Sequence, residues 1–240
     1  MGSSDDADQA ALNEASRAIT RMGYVWDFSV VVLHPGEWLH GFLVTMVYAV
    51  ATIAGGLLIG VICGMAMLTR HRAIAAPING YVQMFRCTPL LIQIVWFYYA
   101  LPVVIGVNLP AWLAAGLGLT LYMGAFSAEI FRAGIMSIDK GQWQAARALG
   151  MLPWAMMRRI VLPQATRRML PPFVNQSVLQ LKNTSLLSVV AVPDLMYTGT
   201  LLVSETFRPL EVYTSLAAFY FFILYPLQKL AKILEQRDDI

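Results

Sequence analysis

The chain is 240 residues long, with 58% hydrophobic and 13% charged side chains and a mean hydropathy of +0.61. A soluble domain carries about 25% charged and about 45–50% apolar residues, so a water-soluble enzyme or binding module is excluded. Seventeen Lys and Arg against 14 Asp and Glu leave a net charge of only +3, which does not argue for nucleic acid, and Cys63 and Cys87 lack the spacing of a zinc site or disulfide framework.

Residues 1–38 form an expected extracytoplasmic and interfacial segment. It opens on Asp5, Asp6 and Asp8 rather than on a basic region followed by an apolar core, so it does not read as a cleavable signal. Gly2–Asp8 reads as a frayed tail, and residues 24–39 alternate aromatic with polar side chains, as a collar at the outer leaflet would. Beyond it, spans follow from charge-free runs. An ionised side chain at the bilayer centre costs roughly 2.5 kcal/mol or more, and about 20 apolar helical residues cross the hydrocarbon. The predicted helices are 41–68, 87–105, 110–129, 172–193 with Lys182 inside, and 212–228. The fold class is therefore all-α: an integral membrane bundle of five transmembrane helices, with a membrane domain over 39–237 and a long connecting loop over 130–171.

Lys and Arg near membrane ends stay cytoplasmic. Arg70, Arg72 and Arg86 follow the first helix; Arg132, Lys140, Arg147, Arg158, Arg159, Arg167 and Arg168 follow the third; Lys229, Lys232 and Arg237 follow the fifth. Only Arg17, Arg21 and Arg208 fall on the opposite side. The expected topology is N-terminus outside and C-terminus cytoplasmic, which an odd number of crossings allows.

Within the long loop, residues 141–150 read GQWQAARALG. Ala145, Ala146, Ala148 and Leu149 favour helix, and Gly150 ends it because glycine readily takes the left-handed conformation at a helix C-terminus. Gly141, Gln142 and Gln144 complete the segment. Small side chains allow another backbone to approach and Trp143 offers an anchor, so the helix either docks a protein partner or rests on the inner leaflet.

Polar groups in lipid are costly unless they face a cavity, a partner or the bundle interior. Gln176, Gln180 and Asn183 fall at i, i+4 and i+7 on one helix face; Asn175 and Lys182 make a neighbouring stripe, and Thr184 follows. Tyr122, Phe126 and Glu129 share a face of the third helix, and Gln93 has Trp96 and Phe97 at i+3 and i+4. Gln93, Tyr122, Glu129, Asn175, Gln176, Gln180, Lys182, Asn183 and Thr184 are the candidate pathway residues. Competing roles are helix-to-helix bonding for Gln176, Gln180 and Asn183, bonding of Lys182 to backbone carbonyls or its pairing with Glu129, and a local Glu129–Arg132 pair. Thirteen scattered methionines and three histidines near helix ends, His34, His40 and His71, suggest no metal or haem site.

The run Gln144-Ala145-Ala146, three residues, Gly150, nine residues, Ile160, one residue, Leu162-Pro163 resembles the signature E-A-A-x3-G-x9-I-x-L-P of permease subunits in ABC-type importers. Four further blocks resemble the polar amino acid branch of that family: Phe85 to Gln93 (FRCTPLLIQ), Ala128 to Ile135 (AEIFRAGI), Leu181 to Leu186 (LKNTSL) and Phe207 to Tyr213 (FRPLEVY). Gln144 stands where the signature has Glu, so it hydrogen-bonds but carries no charge, and Cys87 and Ala133 replace glycines.

The resemblance implies a type I importer permease fold in a bacterial inner membrane. Residues 141–150 would be the coupling helix, seated on a dimer of ATP-binding subunits. Other implied partners are a second permease chain, the same or a sister, and a periplasmic or lipid-anchored substrate-binding protein. The solute would be a polar amino acid or a close derivative such as an opine, moved inward by alternating access. The chain has no G-x4-G-K-[ST] loop to cradle phosphates, so it is not expected to be an enzyme; ATP and Mg would sit on the partner. An ATP-independent channel or secondary carrier, or a membrane scaffold, is the alternative from another class; neither accounts for the 141–163 block.

Overall fold

The computed structural model describes residues 24–69 and 71–236, and all regular structure among them is helical. The expected tail Gly2–Asp8 and the bases Arg17, Arg21, Arg70 and Arg237 lie outside the described residues. A short turn α1 (Ser29–Val32) precedes α2 (Pro35–Met67), which starts ahead of the expected residue 41 because Pro35 presets φ in its first turn. Then come α3 (Arg72–Cys87), α4 (Leu90–Ile105), α5 (Ala111–Met136), α6 (Lys140–Ala148), α7 (Pro153–Val190), α8 (Leu195–Thr206) and α9 (Pro209–Gln236).

The bundle is organised on the pair α2 and α5. Gly41, Thr45, Ala49, Thr52, Gly56, Gly60 and Gly64 recur every three or four residues and are all buried. Lipid tails are as apolar as leucine, so helices associate through close packing rather than hydrophobic expulsion, and small residues permit it. A Cβ on Gly60 would lie 2.2 Å from the Ser127 Cβ, and one on Gly64 would lie 2.9 Å from the Ala128 carbonyl oxygen. The opposite face of α2 carries exposed Leu43, Val47, Val50, Leu58 and Ile62, the side suited to lipid.

The second expected span is a bent pair. α3 and α4 meet at 110° across Thr88-Pro89, where the proline holds Thr88 extended. The Gln93 amide closes the corner, donating to the Phe85 carbonyl at 2.9 Å and the Thr88 hydroxyl at 2.6 Å. The expected helix 87–105 corresponds to α4 alone. α3 was not anticipated, because its basic and amphipathic sequence with Pro77 inside resembles no charge-free run.

Two turns of π-helix, Trp96–Ala100 and Met157–Val161, each end two residues before a proline, Pro102 and Pro163. A proline ring clashes with the carbonyl four residues back, and the wider turn relieves that contact. In each, the next amide reaches back five residues, Leu101 to Trp96 and Leu162 to Met157.

The fourth region also departs from expectation. α5 continues to Met136 and α7 begins at Pro153, so the loop expected over 130–171 contracts to residues 137–152. α7 ends in a 3₁₀ stretch, Thr184–Val190, turns through Ala191 at φ 57°, and meets α8 at 46°. Asp194 caps α8, its Oδ1 accepting from the Tyr197 amide at 2.8 Å. α8 was not anticipated, and α9 outruns the expected 212–228 at both ends. Among the described residues three helices are long and apolar enough to cross a membrane, and the count reaches five if each bent pair is one span.

At the end of the bundle away from the Arg-rich segments, buried Glu211 gathers the N-terminal strap. Its carboxylate accepts from the Tyr24 hydroxyl, from the Asp27 amide at 3.0 Å and from Arg208 at 3.0 Å. Hydrogen bonds from Ser29 hold the Asp27 carboxyl below its ordinary value.

Candidate functional site

α6 is a nine-residue helix whose start and stop are both built into its sequence. Asp139 caps it, accepting from the Gly141 amide at 2.7 Å, and a Cβ at position 141 would meet that same carboxylate at 2.7 Å. Glycine is thus the residue that leaves the cap room. At the other end Gly150 takes φ 69°, as expected of a helix stop.

One side of α6 is seated on its own chain. Ala146 is buried and Trp143 half-buried, in a cluster with Phe131, Ile135, Met156, Val161, Ala165 and Met169. Gly141, Gln142, Gln144, Ala145, Ala148, Leu149 and Gly150 are exposed. The candidate set therefore divides: Ala146 holds the helix to the bundle and the rest face outward. Just past the helix, Leu149, Leu152 and Trp154 add an apolar edge to the outward face at 78%, 74% and 72% exposure, beside exposed Gln142, Gln144 and Arg147. Leu152 and Trp154 escaped the sequence reading, although their apolar character so near a helix stop marks them.

Where α3, α5 and α7 converge lies a cavity of about 490 Å³. Of the candidate pathway residues, Glu129, Asn175 and Gln176 line it, with Arg86, Phe126 and Arg168 beside them. Glu129 is ion-paired: Arg132 Nε donates to Oε2 at 3.0 Å and its Nη2 donates to Oε1, while Arg86 Nη1 stands 3.9 Å from Oε2. Arg86 also lies over the Phe126 ring at 5.6 Å from its centroid. Arg168 donates to the Ser137 carbonyl and hydroxyl, tying α7 to the end of α5. Arg86 and Arg168 entered the sequence analysis as topology markers, whereas the Glu129–Arg132 pair is the local pairing weighed there; Arg86 and Arg168 add a cavity wall holding cations, a carboxylate and amides together.

The remaining pathway candidates do not join this cavity. Gln180 is fully buried and its amide bridges α2 and α5, donating to the Thr52 hydroxyl at 3.1 Å and the Leu119 carbonyl at 3.0 Å. Gln93 closes the α3–α4 corner, and Thr184 is buried with its hydroxyl on the Leu181 carbonyl at 2.7 Å. Each of these three is held by its own chain, and for Gln180 the bonds are the helix-to-helix alternative weighed from sequence. Tyr122 is half-buried, its ring tilted at 41° against Phe126 with centroids 4.7 Å apart. Asn183 is half-buried. Lys182 is exposed, and the Lys182–Glu129 pair considered from sequence is replaced by Arg132 and Arg86. Among the described residues no group of three or more His, Cys, Asp or Glu could hold a metal.

Residues 56–237 match the family described as binding-protein-dependent transport system inner membrane component. The chain is 34% identical over 208 residues to the glutamine transport system permease protein GlnP of Escherichia coli (strain K12), covering 84% of this chain and 93% of that one. It is 38% identical over 200 residues to the probable glutamine ABC transporter permease protein GlnM of Bacillus subtilis (strain 168), covering 83% and 92%. Its fold resembles a chain from the crystal structure of an amino acid ABC transporter with histidines, at TM-score 0.83 and 31% identity, over 89% of this chain and all of that one.

Proposed function

The chain belongs to the binding-protein-dependent transport system inner membrane components, and on that premise we propose how its parts divide the work of an amino acid importer. It is a multi-pass permease subunit of an ABC-type amino acid importer in the inner membrane, and ATP hydrolysis belongs to separate ATP-binding subunits of the complex. The proposed orientation puts the Arg-rich end in the cytoplasm and the strap at residues 24–38 outside. α6 is the coupling helix. Gln144, Ala145, Ala148 and Leu149 meet the ATP-binding subunit, while Ala146 and Trp143 pass the push into α5 and α7.

The observation that carries this reading is the two-sidedness of α6, one face locked into the bundle and the other bare, with Gln142, Gln144 and Arg147 among small alanines and apolar Leu149 just past its end. Gln144 in place of the signature Glu keeps a hydrogen-bonding group at the junction without a charge.

The cavity of Arg86, Glu129, Arg168, Asn175 and Gln176 is the proposed inner part of the solute path. Guanidinium groups, a carboxylate and amides complement a zwitterion, whose carboxylate and ammonium need opposite partners. Glutamine, the solute in the names of the Escherichia coli and Bacillus subtilis relatives, is the proposed substrate. A sister or identical permease and an extracytoplasmic binding protein complete the proposed assembly. The test is uptake by proteoliposomes holding the assembled complex, with binding protein outside and ATP inside. ATP-dependent accumulation of labelled glutamine supports the reading; accumulation that persists without ATP, or none with any amino acid, refutes it.

A further inference from the structure

Beyond transport itself, a second groove opens beside α6. It holds about 670 Å³ and is walled by the end of α2 at Leu68, the end of α5 at Ile135 and Met136, one edge of α6, and the start of α7. The walls are apolar and rich in methionine: Met136, Met151, Met156 and Met157, with Trp143. The charged side chains are Lys140 and Arg147, with no acid among the described residues that line it. Lys140, Trp143 and Arg147 fall at i, i+3 and i+7, an edge of α6 between buried Ala146 and the outward Gln144 and Ala148. Both bases are exposed, and neither makes an ion pair among the described residues.

We propose that this groove binds an anionic phospholipid of the cytoplasmic leaflet, its phosphate against Lys140 and Arg147 and an acyl chain along the methionine wall. A phosphate takes charge-assisted hydrogen bonds from guanidinium and ammonium groups, and basic pockets at the cytoplasmic ends of membrane helices suit anionic headgroups. Methionine is unbranched and turns about three bonds, so it adapts to a flexible chain. A free phosphate would use the two bases and leave the apolar walls uncovered. A nucleotide would need partners for its base and sugar, and no Ser, Thr, Asn or Gln lines the groove among the described residues. An acidic, apolar segment of the ATP-binding subunit would also meet the two bases, but the position favours lipid. α2 and α5, whose ends form one wall, are long and apolar enough to cross a membrane, so the groove opens where they leave the hydrocarbon. Leu68 and Met136 on that wall are exposed. The site rests on the proposed orientation, with the Arg-rich end in the cytoplasm.

The test uses the full chain assembled with its ATP-binding subunits in a non-ionic detergent. The probes are short-chain phosphatidylglycerol, short-chain phosphatidylcholine and inorganic phosphate. Phosphatidylglycerol is expected to raise Tm saturably and to stay bound in native mass spectrometry, and the other two to do neither. Replacing both bases, Lys140→Gln with Arg147→Gln, should weaken phosphatidylglycerol binding by about tenfold or more. Met151→Trp fills the groove without changing its charge and should weaken binding as well, which a merely basic surface would not show. Equal shifts by phosphatidylcholine or by inorganic phosphate, or unchanged binding in either variant, overturn the proposal. Binding by the chain alone that disappears in the assembled complex also overturns it and gives the groove to the ATP-binding subunit. Lipid binding is read without solute or ATP turnover, so its failure leaves the importer reading standing, and failed glutamine uptake leaves the lipid site standing.

Discussion

The seam between α2 and α5 and the bare face of α6 both carry small residues, yet they stand in opposite conditions. At the seam, Gly56, Gly60 and Gly64 are buried against Met123, Ser127 and Phe131, and nothing larger fits. On α6, Ala145, Ala148 and Gly150 are exposed, and a Cβ at Gly150 would meet nothing within 4 Å. Small residues thus serve contact in both places, but at the seam the partner helix belongs to the chain and on α6 it does not. The first region should determine whether the protein exists as a bundle, the second whether the bundle is driven.

The sharpest way to break this contrast is to enlarge one residue in each region. Gly60→Leu is expected to destabilise the bundle by at least ~1–3 kcal/mol, the usual cost of overpacking, with Gly60→Ala milder. Thermal melting of the detergent-solubilised complex checks it, and loss of folded protein in the membrane is the extreme outcome. Leu149→Asp should do the reverse. Its melting should match wild type, while affinity for the ATP-binding subunit falls by at least about tenfold, as expected when an apolar anchor at an interface is charged. Pull-down of that subunit, together with uptake, measures this.

Smaller effects sharpen the contrast inside the cavity and the core. Glu129→Gln leaves Arg132 and Arg86 without their shared carboxylate at a partly exposed site, so uptake should drop severalfold with little change in melting. Equal uptake would remove Glu129 from the path. Gln180→Met, which deletes the bridge from α7 to α2 and α5, should cost about 0.6 kcal/mol per bond lost and leave the solute KM unchanged. A large KM change would return Gln180 to the pathway.

These two regions also differ in how far their role is legible in the sequence. α6 was legible because its alanines, its glycine stop and the residues up to Pro163 form a local pattern, and local patterns depend on neighbours in sequence. The long apolar helices were legible from the absence of charge. The glycine seam was equally present, at four-residue spacing from Gly56 to Gly64, but its meaning depends on α5 lying across it. Gln93, Gln180 and Thr184 were placed on the pathway because polarity in a span says only that a partner is required. Whether that partner is a solute or a carbonyl on the next helix is decided by packing. α3 and α8 escaped for a related reason: one is basic and amphipathic, the other short, and both are held by packing on other helices, α3 on α2 and α5 and α8 on α2 and α9.

The most direct measurement of the division within α6 is thiol reactivity in a background where Cys63 and Cys87 are replaced by serine. Leu149→Cys should react rapidly in the chain expressed without its ATP-binding subunits and be shielded in the assembled complex, while Ala146→Cys stays unreactive in both. Equal labelling of Leu149→Cys with and without the ATP-binding subunits would contradict the assignment of α6 as the coupling helix.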